Sequence, residues 1–271
     1  MGERSLSVRK TIVRCRGKKS FEVEDEVAVE FPLTVMLNGE EFATIICTPV
    51  DLEDMVLGFL ASEGAVRFRR DIDSLTVDEG KGRAYVETKI NQPVSQDFYM
   101  KRVIGSCCGK SRHFYFENDA RTAKTVTSRL KLSAENCFRL MDGLQEQSAA
   151  FKQTGGVHNA ALCSEDGIVT VKTDIGRHNT LDKLYGFGLA NGIRMSDKAI
   201  AFSGRISSEV LLKVSKIGIG VLLSKSAPTD LALKLADELN ITTVGFIRSG
   251  SMNIYTHPWR ISETSPVGVQ M

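Results

Sequence analysis

A chain of 271 residues, 42% apolar and 25% charged, is long enough to bury a full core, and a formal net charge of +2 gives no bulk electrostatic reason to expect a nucleic-acid partner. Six cysteines at irregular spacing do not form the framework of a small secreted disulfide scaffold, and the polar opening MGERSLSVRK lacks the apolar segment of a signal peptide. The longest apolar run, IGIGVLL at 217–223, is far too short to cross a bilayer, so a cytoplasmic protein with neither membrane nor nucleic-acid partners is expected.

The stretch RKTIVRCRGKK at 9–19 is basic and free of acid, which predicts a solvated or frayed arm over 1–19, with a binding patch as the other reading. A β-rich subdomain with one helix is expected over 20–100. Within it, EVAVEFPLTVMLNG and EEFATIICT meet at Asn38-Gly39, a pair that tolerates the left-handed backbone of a two-residue hairpin turn. The helix has Asp51 as its N-cap and Asp54 three residues on. Leu52, Met55, Val56, Phe59 and Leu60 keep helical spacing until Glu63-Gly64 closes it. SLTVDE and RAYVETKI complete the subdomain as strands.

A loop region at 101–130 carries VIGSCCGKSRHF, in which Cys107 and Cys108 are adjacent between two glycines. Three readings compete with a reactive thiolate. Buried apolar thiols are common, and a disulfide between neighbours is strained because their Cα atoms lie only about 3.8 Å apart. A structural metal site needs spaced ligand pairs, and Cys15, Cys47, Cys137 and Cys163 stand alone. From Phe98 to Phe116, however, Lys101, Arg102, Lys110 and Arg112 face no acid, which favours an ionised sulfur. His113 either assists proton transfer or is idle.

The segment 131–271 alternates strand and helix and is read as an α/β core. A helix is predicted from Ser133 to about Phe151, then the strand pair GVHNAALC and GIVTVKT, and a helix from Ile175 to Ala190. KAIAFSG, GIGVLLS, ITTVGFIR and MNIYTH are strands; Ser207 starts one intervening helix and Pro228 opens the next. A mixed, largely parallel sheet with helices on both faces gathers ligands where strands turn into helices. The turns TGGVHNA, TDIGRHNTLDKL, FSGRISSE, SKSAPTD and IRSGSMNIYTH supply candidates there, with Arg177, Arg205, Lys225 and Arg248 suited to phosphate. No G-x-x-x-x-G-K-[ST] or G-x-G-x-x-G motif is present, which disfavours a standard triphosphatase or dinucleotide dehydrogenase.

Five blocks in order, TGGVHNAAL, DIGRHNTLDKLYG, SGRISSEVLLKVSKIGI, SKSAPTDLALKLA and GFIRSGSMNIYTHPWRI, resemble the FdhD family of sulfur carriers required for active formate dehydrogenase. TPVDLEDMVLGFLASEG resembles that family's N-terminal helix, and the likeness covers roughly residues 30–262. The resemblance implies a cytidine deaminase-like core and a sulfurtransferase. Such a protein takes persulfide sulfur from a cysteine desulfurase and delivers it to the molybdenum or tungsten bis-guanine-dinucleotide cofactor destined for apo-formate dehydrogenase. It also implies guanine nucleotide binding, with GDP as a ligand, a homodimer, and no structural metal.

The family loop reads C-G-x-C-G-K, and aligning CGK places Cys108 on its second cysteine and Gly105 on its first. Cys108 is therefore the expected carrier, with Cys107 as helper or replacement. His158, Arg177, His178, Ser203, Arg205, Lys225, Ser226 and Arg248 are the expected nucleotide contacts. Some of these have other readings: His158 as a core histidine, Arg177 and His178 as helix caps, Ser226 as the turn before Pro228, and Asp182 as a group orienting His178. A zinc deaminase is disfavoured because HNA at 158–160 lacks the glutamate and no P-C-x-x-C occurs. A binding chaperone that holds the cofactor without moving sulfur, and a redox switch at Cys107 and Cys108, are the remaining rivals.

Overall fold

The computed structural model describes residues 5–89, the backbone of 103 and 104, and residues 123–262. These fall into two compact units that interleave along the chain. The first takes in the N-terminal residues with 148–159 and 172–192, and the second takes in 123–147, 160–171 and 193–262.

The first unit opens with β1 (Ser7–Arg16) and β2 (Lys19–Ala28), an antiparallel ribbon in register from Ser7↔Ala28 to Arg16↔Lys19. The basic stretch is thus a strand and turn, not a frayed arm. Two of its cations pair with acids that follow in sequence: Arg9 with Glu26 at 3.0 Å and Arg14 with Asp25 at 3.1 Å. β3 (Phe31–Leu37) and β4 (Glu40–Cys47) form the expected hairpin, with Asn38 at φ 50° and Gly39 at φ 82°. With β5 (Ile72–Asp78), β6 (Arg83–Thr88) and β7 (Val103–Ile104) they make a five-stranded sheet, ordered β5-β6-β3-β4-β7.

Helix α1 (Leu52–Ser62) is buried at nine of its eleven positions, which explains why its sequence is apolar almost all round. One side packs on Leu33, Val35, Ile45 and Val86 of the sheet, and Tyr185 and Leu189 of a later helix close the same core. Asp51 does occupy the N-cap position, but at φ 51° and without a capping hydrogen bond. Its carboxylate is taken instead by Lys172 Nζ at 2.6 Å, and Asp54 is taken by the same ammonium at 2.7 Å.

The second unit is built on a six-stranded mixed sheet ordered β10-β9-β11-β12-β13-β14. Its strands are β9 (His158–Cys163), β10 (Ile168–Asp174), β11 (Ala199–Phe202), β12 (Val221–Ser224), β13 (Thr242–Arg248) and β14 (Ser251–Ile254). β11, β12 and β13 run parallel, whereas β9 and β14 are antiparallel to their neighbours. A short parallel pair, β8 (Leu132–Ser133) with β15 (Ile261–Ser262), lies outside it. Ala199, Ala201, Val221, Leu223 and Val244 share a core with Leu140, Met141 and Leu144, while Ile200, Phe202 and Leu222, on the other face by strand alternation, are fully buried too. Central strands covered on both faces read as continuous apolar runs, which is how they appear in the sequence.

The predicted helix from Ser133 to Phe151 is two helices: α2 (Ala134–Glu146), capped by Ser133, and α3 (Ala149–Thr154) after a break at Gln147. α4 (Arg177–Ala190) starts after Gly176, and α5 (Ser208–Ile217) is capped by Ser207, as expected. α6 (Asp230–Glu238) is capped by the Thr229 hydroxyl, so Pro228 precedes the cap and does not open the helix. No helix among the described residues is long and apolar enough to cross a membrane.

Candidate functional site

The predicted nucleotide contacts divide between the two units. Cys107 and Cys108 lie outside the described residues.

In the second unit, three parallel strands deliver their carboxyl ends to one edge. Ser203 and Arg205 follow β11, Lys225 and Ser226 follow β12, and Arg248 ends β13. Ser224 fixes the first two turns side by side: its hydroxyl donates to the Gly204 carbonyl at 2.9 Å and accepts from the Ser226 amide at 2.9 Å. Ile206 N donates to Ala227 O at 3.1 Å, and Thr229 N donates to Ile206 O at 3.0 Å. The Phe246 amide donates to Ser226 O at 3.3 Å, which ties in the third strand. Arg205, Lys225 and Arg248 are exposed, and Lys225 Nζ reaches Gln145 Oε1 at 2.6 Å. The structure therefore brings Ser203, Arg205, Lys225, Ser226 and Arg248 onto neighbouring strand ends with their backbone already ordered.

In the first unit, Asp174 organises the turn that carries Arg177 and His178. Its Oδ1 accepts from the Gly176 amide at 2.9 Å and from Asn179 Nδ2 at 2.8 Å, while its Oδ2 accepts from the Thr48 amide at 2.9 Å. Lys183 neutralises the carboxylate at 2.7 Å, and both side chains are fully buried. Gly176, not a capping side chain, occupies the N-cap of α4, so neither Arg177 nor His178 caps the helix. Burial, and then the positive charge of Arg177, lower the pKa of His158, so its imidazole is neutral at physiological pH. TGGVHNA leads into the start of β9, not out of a strand end as expected, because β9 runs antiparallel to β11. Asp182 is buried and accepts from the Ser62 hydroxyl at 2.6 Å.

The cysteines separate by burial. Cys47, Cys137 and Cys163 sit in the cores, and desolvation pushes each thiol up to about 12, so all three are inert protonated groups near neutrality. Cys15 is exposed on the ribbon, with its sulfur 3.2 Å from Ser20 Oγ.

Sequence reasoning passed over a concavity of about 410 Å³ lined by Phe246, Arg248, Ser249, Ser251 and Asn253. It arises where β13 bulges between Gly245 and Arg248, with Phe246 at φ 54°. A bulky residue in that conformation costs about 1–3 kcal/mol in strain, and nothing in the local sequence announces it.

Residues 28–262 match the FdhD/NarQ family, and the chain belongs to that family. It is 62% identical over 258 residues to the sulfur carrier protein FdhD of Halalkalibacterium halodurans, covering 94% of this chain and 96% of that one. It is 57% identical over 242 residues to the sulfur carrier protein FdhD of Bacillus subtilis, covering 89% and 92%. A crystal structure described as that of a formate dehydrogenase accessory protein from Desulfotalea psychrophila is similar over 95% of this chain and all of that one, with a TM-score of 0.78 at 26% identity.

Proposed function

We propose that this chain is a cytoplasmic sulfurtransferase that matures formate dehydrogenase, moving sulfur from a cysteine desulfurase to the molybdenum or tungsten bis-guanine-dinucleotide cofactor. The observation that carries this reading is the near full-length identity to proteins named as sulfur carriers. Cys108 is the carrier and Cys107 its neighbour in the reaction. The Cys108 thiolate attacks the terminal sulfur of the donor persulfide, the donor's S–S bond breaks, and the desulfurase leaves as a thiolate while Cys108 holds the persulfide. The inert state of Cys47, Cys137 and Cys163 supports this choice, since none of them can supply a thiolate at neutral pH.

The metal dinucleotide is the cargo. Cations and hydroxyls at Ser203, Arg205, Lys225, Ser226 and Arg248, on the ordered turns after three parallel strands of a mixed sheet, suit its phosphates, and His158, Arg177 and His178 are further proposed contacts. GDP is then a ligand of the same residues. The α/β unit corresponds to a cytidine deaminase-like core, and the working form is a homodimer that meets the desulfurase and apo-formate dehydrogenase.

Mass spectrometry of the intact protein and its peptides, after incubation with a cysteine desulfurase and cysteine, tests the reading. A sulfur-mass adduct that is lost in Cys108→Ala and kept in Cys107→Ala is expected. Loss only in Cys107→Ala moves the carrier by one residue. A wild-type protein that binds GDP yet gains no sulfur is the chaperone that holds cofactor without transfer, the alternative that Gly105 in place of the first family cysteine favours.

A further inference from the structure

The β1–β2 ribbon has two unlike faces. By strand alternation and its register, Val8, Ile12, Phe21, Val23 and Val27 share one face, the front. Val8, Phe21 and Val27 are exposed there at 43%, 39% and 42%, and Ile12 and Val23, opposite each other at mid-length, are half-buried. No residue from Ser7 to Ala28 is buried. A two-stranded ribbon is marginal on its own in water, and an apolar row along about 34 Å of one is a surface that gains by being covered.

Charge divides the same way. Lys10, Arg14, Arg16 and Lys19 lie on the front against one acid, Asp25, which Arg14 holds at 3.1 Å. The back carries Glu22, Glu24 and Glu26 against Arg9. Its polar groups bond among themselves: Glu26 accepts from Ser7 Oγ at 2.6 Å and from Arg9 Nε at 3.0 Å, and Glu24 accepts from Thr11 Oγ1 at 2.7 Å. The body of the unit meets the ribbon at its root and at a back position, where a Cβ on Gly156 would stand 3.1 Å from that of Ala28. The front therefore keeps an apolar row bordered by cations. Arg16 lies over Phe21, its guanidinium carbon 5.9 Å from the ring centroid, and arginine and aromatic side chains are the usual anchors of protein interfaces.

We propose that the front of the β1–β2 ribbon is the docking surface for an acidic protein partner, which sets an apolar centre against Ile12, Phe21 and Val23 and carboxylates against Arg14, Arg16 and Lys19. This rests on the reading that the chain meets a sulfur donor and an apo-enzyme, and it gives such a meeting a surface. Two copies placed front to front bring mostly like charges together, and a bilayer would cover the Asp25 carboxylate, so an acidic protein is the occupant the charges fit.

Biolayer interferometry of the full chain against a cysteine desulfurase, and separately against apo-formate dehydrogenase, tests the surface. Arg16→Glu combined with Lys19→Glu is expected to weaken at least one of the two about tenfold or more, and added salt to weaken wild type more than this variant. Phe21→Ser is expected to weaken the same protein. Val13→Ser removes the most exposed apolar side chain of the ribbon, at 64%, but from its back, and is expected to bind as wild type does. Wild-type affinity of the front variants for both proteins overturns the proposal while the two partners stand, and so does an equal loss in Val13→Ser. A wild-type chain that binds neither protein removes the partners and the surface together. Front variants that keep both proteins but lose binding to vesicles of anionic lipid overturn the proposal in favour of a membrane, and front variants that keep both proteins but sediment as monomers where wild type is a dimer overturn it in favour of a second copy.

Discussion

Lys183 Nζ stands 2.7 Å from Asp174 Oδ2 with neither side chain exposed, and the ammonium also donates to Thr48 Oγ1 at 2.8 Å and to Thr173 O at 3.0 Å. Every proton of the lysine is used. Removing it strands a buried carboxylate that also fixes the Gly176 turn. Lys183→Met is expected to cost about 3–5 kcal/mol in urea unfolding. Asp174→Asn added to it should cost less than the sum of the single changes, since the second substitution removes the charge the first one stranded.

The α1–α4 crossing leaves no room for a side chain at either contact. A Cβ on Gly58 would overlap the Asp182 carbonyl, and one on Gly186 would overlap the Asp54 carbonyl. Alanine would normally favour a helix over glycine by about 1 kcal/mol. Here Gly58→Ala and Gly186→Ala are each expected to destabilise by about 3 kcal/mol or more, because backbone and not a flexible side chain must yield. Chemical denaturation of the two variants measures this.

His158 gives a pH signature. Its pKa lies below the ordinary 6.5 in the folded chain. As pH falls below about 6.5, the unfolded chain therefore takes up the proton first, and stability drops until the folded value is reached. Above that window the imidazole is neutral in both states and contributes no slope. His158→Gln should flatten the dependence of the unfolding midpoint just below pH 6.5, and the wild-type ring should titrate below 6.5 by NMR.

Thiol labelling should follow burial. In the double variant Cys107→Ala, Cys108→Ala, Cys15 is expected to react with a disulfide reagent at once. Cys47, Cys137 and Cys163, each near 12, should react only on unfolding. Fast labelling of more than one thiol in the native variant would contradict the packing of the cores.

Local chemistry was readable where one residue decides one conformation. Asn38-Gly39 made the hairpin turn, and Ser207 accepts from Val210 N as a helix cap should. The reading failed where a distant partner intervened. Asp51 has the right side chain for a cap, but Lys172, 121 residues on, takes its carboxylate. The basic run of β1 is solvated, as its composition suggests, but the strand it forms was not legible there because Glu26 and Asp25 meet its cations only once β2 folds back. Among site residues, the strand-end cations Arg205 and Lys225 could be found because Ser207 and Pro228 mark the turns before the helices that follow. Phe246 could not, since a bulge changes facing without changing the apolar pattern of GFIR.

The interleaving of the units bears on the order of synthesis. The β-sheet and α1 of the first unit emerge from the ribosome by residue 104, but α4, which covers α1, ends at Ala190. Until then Gly58 and Asp54 lack the helix they cross, and the apolar surface around Tyr185 and Leu189's place in the core stays open. The nascent chain must therefore hold an unfinished hydrophobic layer through translation of about 86 further residues, several seconds at common elongation rates.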